Sequence, residues 1–247
     1  MSHFLYRKAW LVTGQSKEIV AEIRRQVPSG RVYHLSNGVD VTSFHPKKRD
    51  VGIRQHYLRD GEVGFVYAGL HGFFQGLDQI IVAADRLREE PIRFLLFGDG
   101  PEKEAVVEMA RDRQLTNVDF FAPVAKEHVA SILASMDVTV IPLRKAIRGS
   151  VPSKIYEAMA SSIAVLLVAN GEAREIVEKT RAGIAVDPGD SDGLIRAIRE
   201  LVSQPTECGR MGHAGRIAAE NLYDRIKIAE KFEGVLLGKG GIPWKAE

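Results

Sequence analysis

A single cysteine, Cys208, is all the thiol present in this chain of 247 residues, so no internal disulfide can form. That usage fits a reducing compartment. Cys208 itself reads as an inert residue near a helix start rather than a nucleophile. No apolar run approaches the ~20 residues needed to cross a bilayer. The opening stretch carries Arg7 and Lys8 but no long apolar segment, so it does not read as a signal peptide. The expectation is a cytoplasmic protein without a transmembrane segment, able to sit peripherally at the inner membrane face. The seven histidines are scattered without H-x-x-x-H spacing, which argues against a zinc site. No G-x-S-x-G elbow is present, which disfavours serine hydrolase chemistry. Gly98-Asp99-Gly100 lacks the third glycine of a dinucleotide fingerprint, because Lys103 stands in its place.

What is present is an ordinary globular composition, 45% hydrophobic and 27% charged, with a formal net charge of +2. The charge is uneven. Residues 1–60 hold 11 Lys or Arg against 5 Asp or Glu, and the remainder holds 23 against 27. A basic front end favours an anionic surface or anionic lipid carrier, or is a solvated face. The basic residues are not set among aromatics in a nucleic-acid reader motif, so nucleic acid is not an expected partner.

From Val63 onward, strand-like and helix-like segments alternate. Apolar runs at Val63–Ala68, Arg93–Phe97, 117–121, Val138–Ile141, Ile163–Val168 and Gly183–Val186 read as strands. Ile163–Val168 is almost wholly apolar, as in a strand covered on both faces. Helical patterns lie between and after them: Leu77, Ile80, Ile81, Ala84 and Leu87 share one face, and Ala105, Val106, Met109 and Ala110 another. Further helices are expected near 126–135, 153–161, 172–179 and 191–203, with two more over 207–237. The β-α order predicts an α/β fold, a doubly wound parallel sheet of Rossmann-like type. Ahead of it, Ala9–Thr13, Lys17–Gln26 and Arg31–Leu35 read as a short β-α-β stub. Residues 1–43 are taken as a remnant domain, 44–62 as a polar linker, 63–237 as the main domain and 238–247 as a tail.

In open parallel sheets, ligands sit outside the carboxyl ends of the strands. Four loops are expected there. The first, Gly69-Leu-His-Gly-Phe-Phe-Gln-Gly76, has three glycines that let backbone amides approach a ligand, with a helix starting near Gly76 to attract an anion; a flexible connection is the alternative. The second, Gly98-Asp99-Gly100, is a tight turn across which a ligand lies, or a turn and no more. The third, Ser150-Val-Pro-Ser-Lys-Ile-Tyr-Glu157, opens a helix with Pro152 at its first position, where the missing N–H costs nothing. Ser153, Lys154 and the first-turn amides then offer donors to a diphosphate. Glu157, a turn further on, accepts from two neighbouring hydroxyls such as a ribose diol, or is an exposed helix residue. Upstream, Arg144, Lys145 and Arg148 form a cationic loop suited to a leaving diphosphate, or a solvated one. In the fourth, Asn170 and Glu172 lie within possible reach of the ligand, or Asn170-Gly171 is a turn. Asp190-Ser191-Asp192 is a D-x-D, but Asp190 reads as a helix N-cap.

The ordered segments VYAG…QGLDQIIVAA, FLLFGDGPEKEAV, NVDFFAPV, DVTVIPL, VPSKIYEAMAS and AGIAVDPGDSDGLIRAI resemble the C-terminal domain of family 4 glycosyltransferases, of the GT-B architecture, over roughly residues 60–235. The likeness is greatest to the bacterial branch that builds cell-envelope or O-antigen polysaccharide from nucleotide-linked N-acetylhexosamines. Residues near LYRKAWLVTGQSKEIVAEIR and VYHLSNGVD resemble the end of that family's N-terminal domain. The resemblance implies a retaining, metal-independent hexosyltransferase. It implies a nucleotide-sugar substrate, uridine-linked by family habit, a lipid-linked or saccharide acceptor, and no cofactor. It places Gly69, His71, Gly72, Gln75, Gly98, Gly100, Arg144, Arg148, Pro152, Ser153, Lys154 and Glu157 at the donor, with Glu157 on the ribose. Catalytic residues are expected in the N-terminal domain, most of which this chain does not carry. Two departures stand out: Gly149 replaces a glutamate eight positions before Glu157, and Leu70 and Gln75 replace a basic pair. A partner chain supplying the other half, self-association, or a non-catalytic nucleotide-sugar-binding module are the alternatives to an enzyme active alone.

Overall fold

The computed structural model describes residues 2–28, 31–145 and 148–238, with side chains described from Phe4 onward. The expected tail beyond 238 lies outside the described residues. The chain opens with α1 (Ser2–Lys8), β1 (Val12–Gly14), α2 (Lys17–Gln26) and β2 (Val32–His34). Ser16 caps α2 by accepting from the Ile19 amide, and Val20, Ile23, Val27 and Val32 form a small core beneath it. β1 and β2 pair in parallel, which makes a right-sized β-α-β unit and no more.

The main sheet follows: β3 (Val63–Ala68), α4 (Asp78–Arg86), β4 (Ile92–Phe97), α5 (Lys103–Asp112), β5 (Val118–Phe121), α6 (Lys126–Ser135), β6 (Val138–Pro142), α7 (Ser153–Ala160), β7 (Ala164–Val168), α8 (Glu172–Thr180) and β8 (Gly183–Val186). Between β2 and β3 lies α3 (Val51–Tyr57), and after β8 come α9 (Ser191–Ser203), α10 (Pro205–Leu222) and α11 (Arg225–Leu236). All six main strands are parallel, in the order β5-β4-β3-β6-β7-β8. β4, β6 and β7 are buried at every residue, because helices cover both faces. One core layer holds Val66, Leu95, Ile155, Tyr156 and Leu167; the other holds Phe65, Ile80, Phe94, Leu166 and Ile198. This is the doubly wound half expected from the alternation of apolar runs. Asp190 caps α9 by accepting from the Gly193 amide, which accounts for the D-x-D.

Two local expectations give way. Residues 44–62 are not a free linker. Asp50 caps α3, Phe44 and Leu58 are buried in the main core, and Arg54 donates to both oxygens of Asp137. Ala105 is exposed, while Val106 and Ala110 of α5 face inward. The helix expected near Gly76 is present and starts at Asp78, after Gly76 takes a left-handed turn at φ 56° that closes a short 3-10 segment.

The segment after β2 is tied down by a buried guanidinium. Arg216 Nη1 donates to the carbonyls of Val41, Phe44 and Ala160, and the same side chain pairs with Glu220. Val39 bridges to Asp224, and the rings of Tyr33 and Phe232 lie 5.5 Å apart. The front unit is therefore held by α10 and α11 from behind.

Candidate functional site

The sheet's chain order runs outward from β3 to β5, then returns across β3 to β6. Carboxyl-end loops diverge at that switch point, and a crevice opens between them. A cavity of about 500 Å³ lies there. β3 contributes Ala68, Gly69 and Leu70, β4 contributes Phe97, Gly98 and Asp99, and α7 contributes Ser153, Lys154 and Glu157. Phe44, Pro123, Val124 and Val129 form the apolar side, and the Lys126 ammonium lies 5.8 Å over the Phe44 ring.

Glycine is required where the loops cross. A Cβ on Gly98, at φ 141°, would come 1.8 Å from the Gly69 carbonyl oxygen. The two loops are stitched in the ladder direction: the Gly69 amide donates to the Phe97 carbonyl at 2.9 Å, and the His71 amide to Asp99 at 2.8 Å. A Cβ on Gly69 would meet Lys154 Cε and Nζ at 2.5 Å, so the bare backbone lets the lysine lie across the loop.

Lys154 Nζ sits 5.4 Å from the centre of the Tyr67 ring, and no carboxylate pairs with it among the described residues. Burial lowers its pKa, and the nearby Glu157 works against that shift. Burial in turn raises the Glu157 pKa, opposed chiefly by Lys154 and then by Lys126 and Arg225, with a hydrogen bond from Ser153. Both groups are thus costly to charge in the empty cleft and would be relieved by a ligand carrying phosphate and hydroxyls. Pro152 precedes α7 in extended conformation instead of occupying its first position, and no side chain caps the helix. Its first-turn amides remain open to an anion.

Of the residues singled out in the sequence, Gly69, Gly98, Ser153, Lys154 and Glu157 line the cleft. Pro152 and Gly100 stand directly beside them in the chain. His71 does not face it: the ring is wholly buried behind the loop, 5.8 Å from Tyr67, and both nitrogens are without hydrogen bonds. Burial lowers its pKa, and the ring serves packing behind the loop. Gly72 is buried and precedes the 3-10 segment Phe73–Gln75, at whose end Gln75 lies. Arg144 turns away to Asp78 at 2.9 Å and to the Phe73 carbonyl at 3.0 Å, and it stacks on the Phe73 ring. Arg148 is exposed and 3.5 Å from Glu22 of α2. The cationic loop therefore serves local packing and the front unit, not the cleft, because acidic side chains already occupy its guanidinium groups.

The fourth loop is also spoken for. Glu172, buried at the start of α8, accepts from the Lys17 amide at 2.6 Å, and Asn170 stays exposed. Glu18 accepts from the Gly149 amide at 2.8 Å. A Cβ on Gly149 would strike Ile19 at 2.5 Å, so the residue that departs from the family pattern is where α2 packs. Sequence reasoning missed the apolar wall at Phe44, Pro123, Val124 and Val129, and the Lys126 cation beside it. The rule used for the other loops, applied to the end of β5, would have found 123–126; Phe44 arrives through Arg216 and carried no local signal.

Among the described residues, no group of three or more His, Cys, Asp or Glu is placed to hold a metal ion, and no helix is long and apolar enough to cross a membrane. Cys208 is buried and hydrogen-bonded to the Asp137 carbonyl at 3.6 Å, and burial pushes its thiol up to about 11.

This arrangement has close counterparts. The chain is 29% identical over 218 residues to the WcaI protein of Escherichia coli (strain K12), named for glycosyl transfer in colanic acid biosynthesis; the match covers 85% of this chain and 52% of that protein. It is 28% identical over 182 residues to a GDP-mannose-dependent alpha-mannosyltransferase of Mycolicibacterium smegmatis, covering 72% and 45%. The chain thus spans about half the length of these curated relatives. Among solved structures, Anabaena Alr3699/HepE in complex with UDP and glucose superposes with a TM-score of 0.82 at 19% identity, covering 94% of this chain and 64% of that one. Residues 49–218, which include every strand of the main sheet and all the cleft residues except Phe44, match the model for glycosyl transferases group 1. With that match spanning most of its length, and with the GT-B half-fold around the cleft, the chain belongs to the group 1 glycosyl transferases.

Proposed function

We propose that this chain binds the donor for transfer of a hexosyl group from a nucleotide diphosphate to an acceptor hydroxyl, with retention and without a metal, in cell-envelope polysaccharide synthesis. The observation that carries the reading is the meeting of Lys154, the uncapped start of α7 and the bare Gly69 backbone in one cleft, with Glu157 a turn deeper. The diphosphate lies across the α7 amides and Lys154, and Glu157 accepts from the ribose hydroxyls. The base rests on the apolar side near Val124. In the transfer, the bond from the anomeric carbon to the phosphate oxygen breaks and the diphosphate leaves with the electron pair. The acceptor oxygen bonds to that carbon, and its proton passes to the leaving diphosphate. Charge builds on the leaving group, which is where Lys154 and the amide dipoles act.

Uridine is the proposed base, supported by the solved structure that holds UDP. The envelope role is supported by the name of the Escherichia coli relative. A lipid-linked or saccharide acceptor, met at the cytoplasmic membrane face, completes the proposal. A second reading is favoured by one observation: beside the donor cleft, the front unit offers just two short strands, while the relatives run to about twice this length. On that reading the chain is a nucleotide-sugar-binding module, and turnover draws on residues outside it, from the rest of a longer polypeptide, a partner chain or a second copy.

The test is calorimetric titration with a panel of nucleoside diphosphates and nucleotide sugars, paired with a turnover assay on the same chain. Saturable binding is expected, and Glu157→Ala is expected to weaken it by about 1–3 kcal/mol through lost charge-assisted bonds. Absence of binding across the panel, or an unchanged affinity in Glu157→Ala, defeats the donor reading. Robust turnover by the chain alone removes the module reading.

A further inference from the structure

A buried tyrosine stands beneath the donor cleft without lining it. Tyr67, near the carboxyl end of β3, is 1% exposed and lies in a layer otherwise built of side chains such as Phe65, Phe94, Leu96 and Val140. Packing alone would be met by a phenylalanine at this position. The hydroxyl has a separate use: it donates to the Leu70 carbonyl at 2.6 Å, three residues further along the chain. Burial raises the Tyr67 pKa, so the hydroxyl keeps the proton that it donates. The bond ties the turn through Gly69 back onto the strand it leaves. The Leu70 side chain is exposed and does not hold that turn.

The ring has a use of its own. Lys154 Nζ lies over it, 5.4 Å from its centre. A Cβ on Gly69 would come 2.5 Å from Lys154 Nζ and 3.6 Å from the Tyr67 hydroxyl, so ammonium, hydroxyl and bare backbone meet at one point. The negative face of an aromatic ring attracts a cation, more so where water is excluded. Burial works against the charge on Lys154, and the ring works for it. The other charged groups around the ammonium are Glu157 on its own helix, Asp99 after β4 and Lys126 at the start of α6, all lining the cleft. The His71 ring packs against Tyr67 from the buried side, at 5.8 Å.

We propose that Tyr67 is a positioning residue of the donor site. Its ring holds the Lys154 ammonium over the Gly69 backbone while the cleft is empty, and its hydroxyl fixes the loop against which the diphosphate lies. It acts through these two groups and touches no ligand. That the arrangement serves a donor rests on the reading of the cleft given above.

Two variants separate the two uses. Tyr67→Phe keeps the ring and drops the hydroxyl; Tyr67→Leu drops both. Lysines carrying isotopically labelled methyl groups are titrated by NMR in the empty chain, with Lys154→Met identifying the signal. The Lys154 midpoint is expected to fall by about one pH unit in Tyr67→Leu and to stay in place in Tyr67→Phe. Were the ring a filler and nothing else, the space left by leucine would admit water and the midpoint would rise. Hydrogen exchange at the Gly69 and His71 amides should quicken about fivefold in Tyr67→Phe, as the loop loses its tether. Calorimetry with UDP should show Tyr67→Phe binding about threefold more weakly, because the donor must then order that loop. Far-ultraviolet circular dichroism checks the fold, and Tyr67→Met replaces Tyr67→Leu should that variant fail it. A Lys154 midpoint that rises or stands still without the ring, or amide exchange unchanged in Tyr67→Phe, overturns the proposal. Both empty-cleft effects in a chain that binds no UDP leave the placing of Lys154 and the loop intact and defeat the donor reading instead.

Discussion

Lys154→Met removes one charge and keeps the stem, so it isolates the electrostatic part of donor binding. The ammonium lies over Tyr67 and across Gly69 with no carboxylate paired to it, and a phosphate at the α7 start becomes its partner. Two unit charges about 4 Å apart at an effective dielectric of about 20 attract by about 4 kcal/mol. Stripping water from a half-buried ammonium offsets part of that, and measured charge-assisted bonds contribute about 1.5–3 kcal/mol. The expected loss is about 2–3 kcal/mol, a rise in dissociation constant of roughly 30- to 140-fold. Calorimetry with UDP measures it, and the pH dependence adds a second readout. Burial lowers the Lys154 pKa in the empty cleft; a bound diphosphate raises it. The lysine's contribution to affinity is thus complete below the free-site pKa and is lost as pH rises through the bound one. Glu157 runs the other way. Burial raises its free-site pKa, so its contribution is lost as pH falls through the bound value. Affinity should peak between the two limbs, and Lys154→Met should erase the alkaline limb and move the acid limb to higher pH, because the ammonium no longer opposes the raised Glu157 pKa. A dissociation constant changed less than twofold, or an alkaline limb that survives the substitution, refutes the assignment.

Gly98→Ala drives a methyl into the Gly69 carbonyl at a backbone angle that L-residues avoid; urea unfolding should show a loss of about 3 kcal/mol or more, and a loss below 1 kcal/mol would mean the loops are not interlocked as described. Glu172→Ala strips the acceptor from the Lys17 amide; hydrogen exchange in α2, β1 and β2 should speed up by an amount equivalent to about 1–2 kcal/mol while β4, β6 and β7 stay protected, and uniform loss of protection would show that the front unit does not move separately.

The alternation of apolar runs and helical faces determined the sheet, since a strand such as Ala164–Val168, apolar at every position, has no stable place except between two helical layers. The start of α7 was legible for a similar reason: Pro152, Ser153 and Lys154 state a helix opening within a few residues, whatever surrounds it. Gly69 and Gly98 were legible as close-approach positions, but that each exists for the other's backbone was not, because they come from different strands. Charge was the least readable property. Arg144 and Arg148 looked like phosphate ligands in the sequence, and the fold hands them to Asp78 and Glu22. A guanidinium's partner is settled by whichever carboxylate tertiary packing brings within reach, and sequence spacing carries no record of it. For the same reason Arg216 gathers carbonyls from Val41, Phe44 and Ala160, and so brings Phe44 to the cleft from far along the chain.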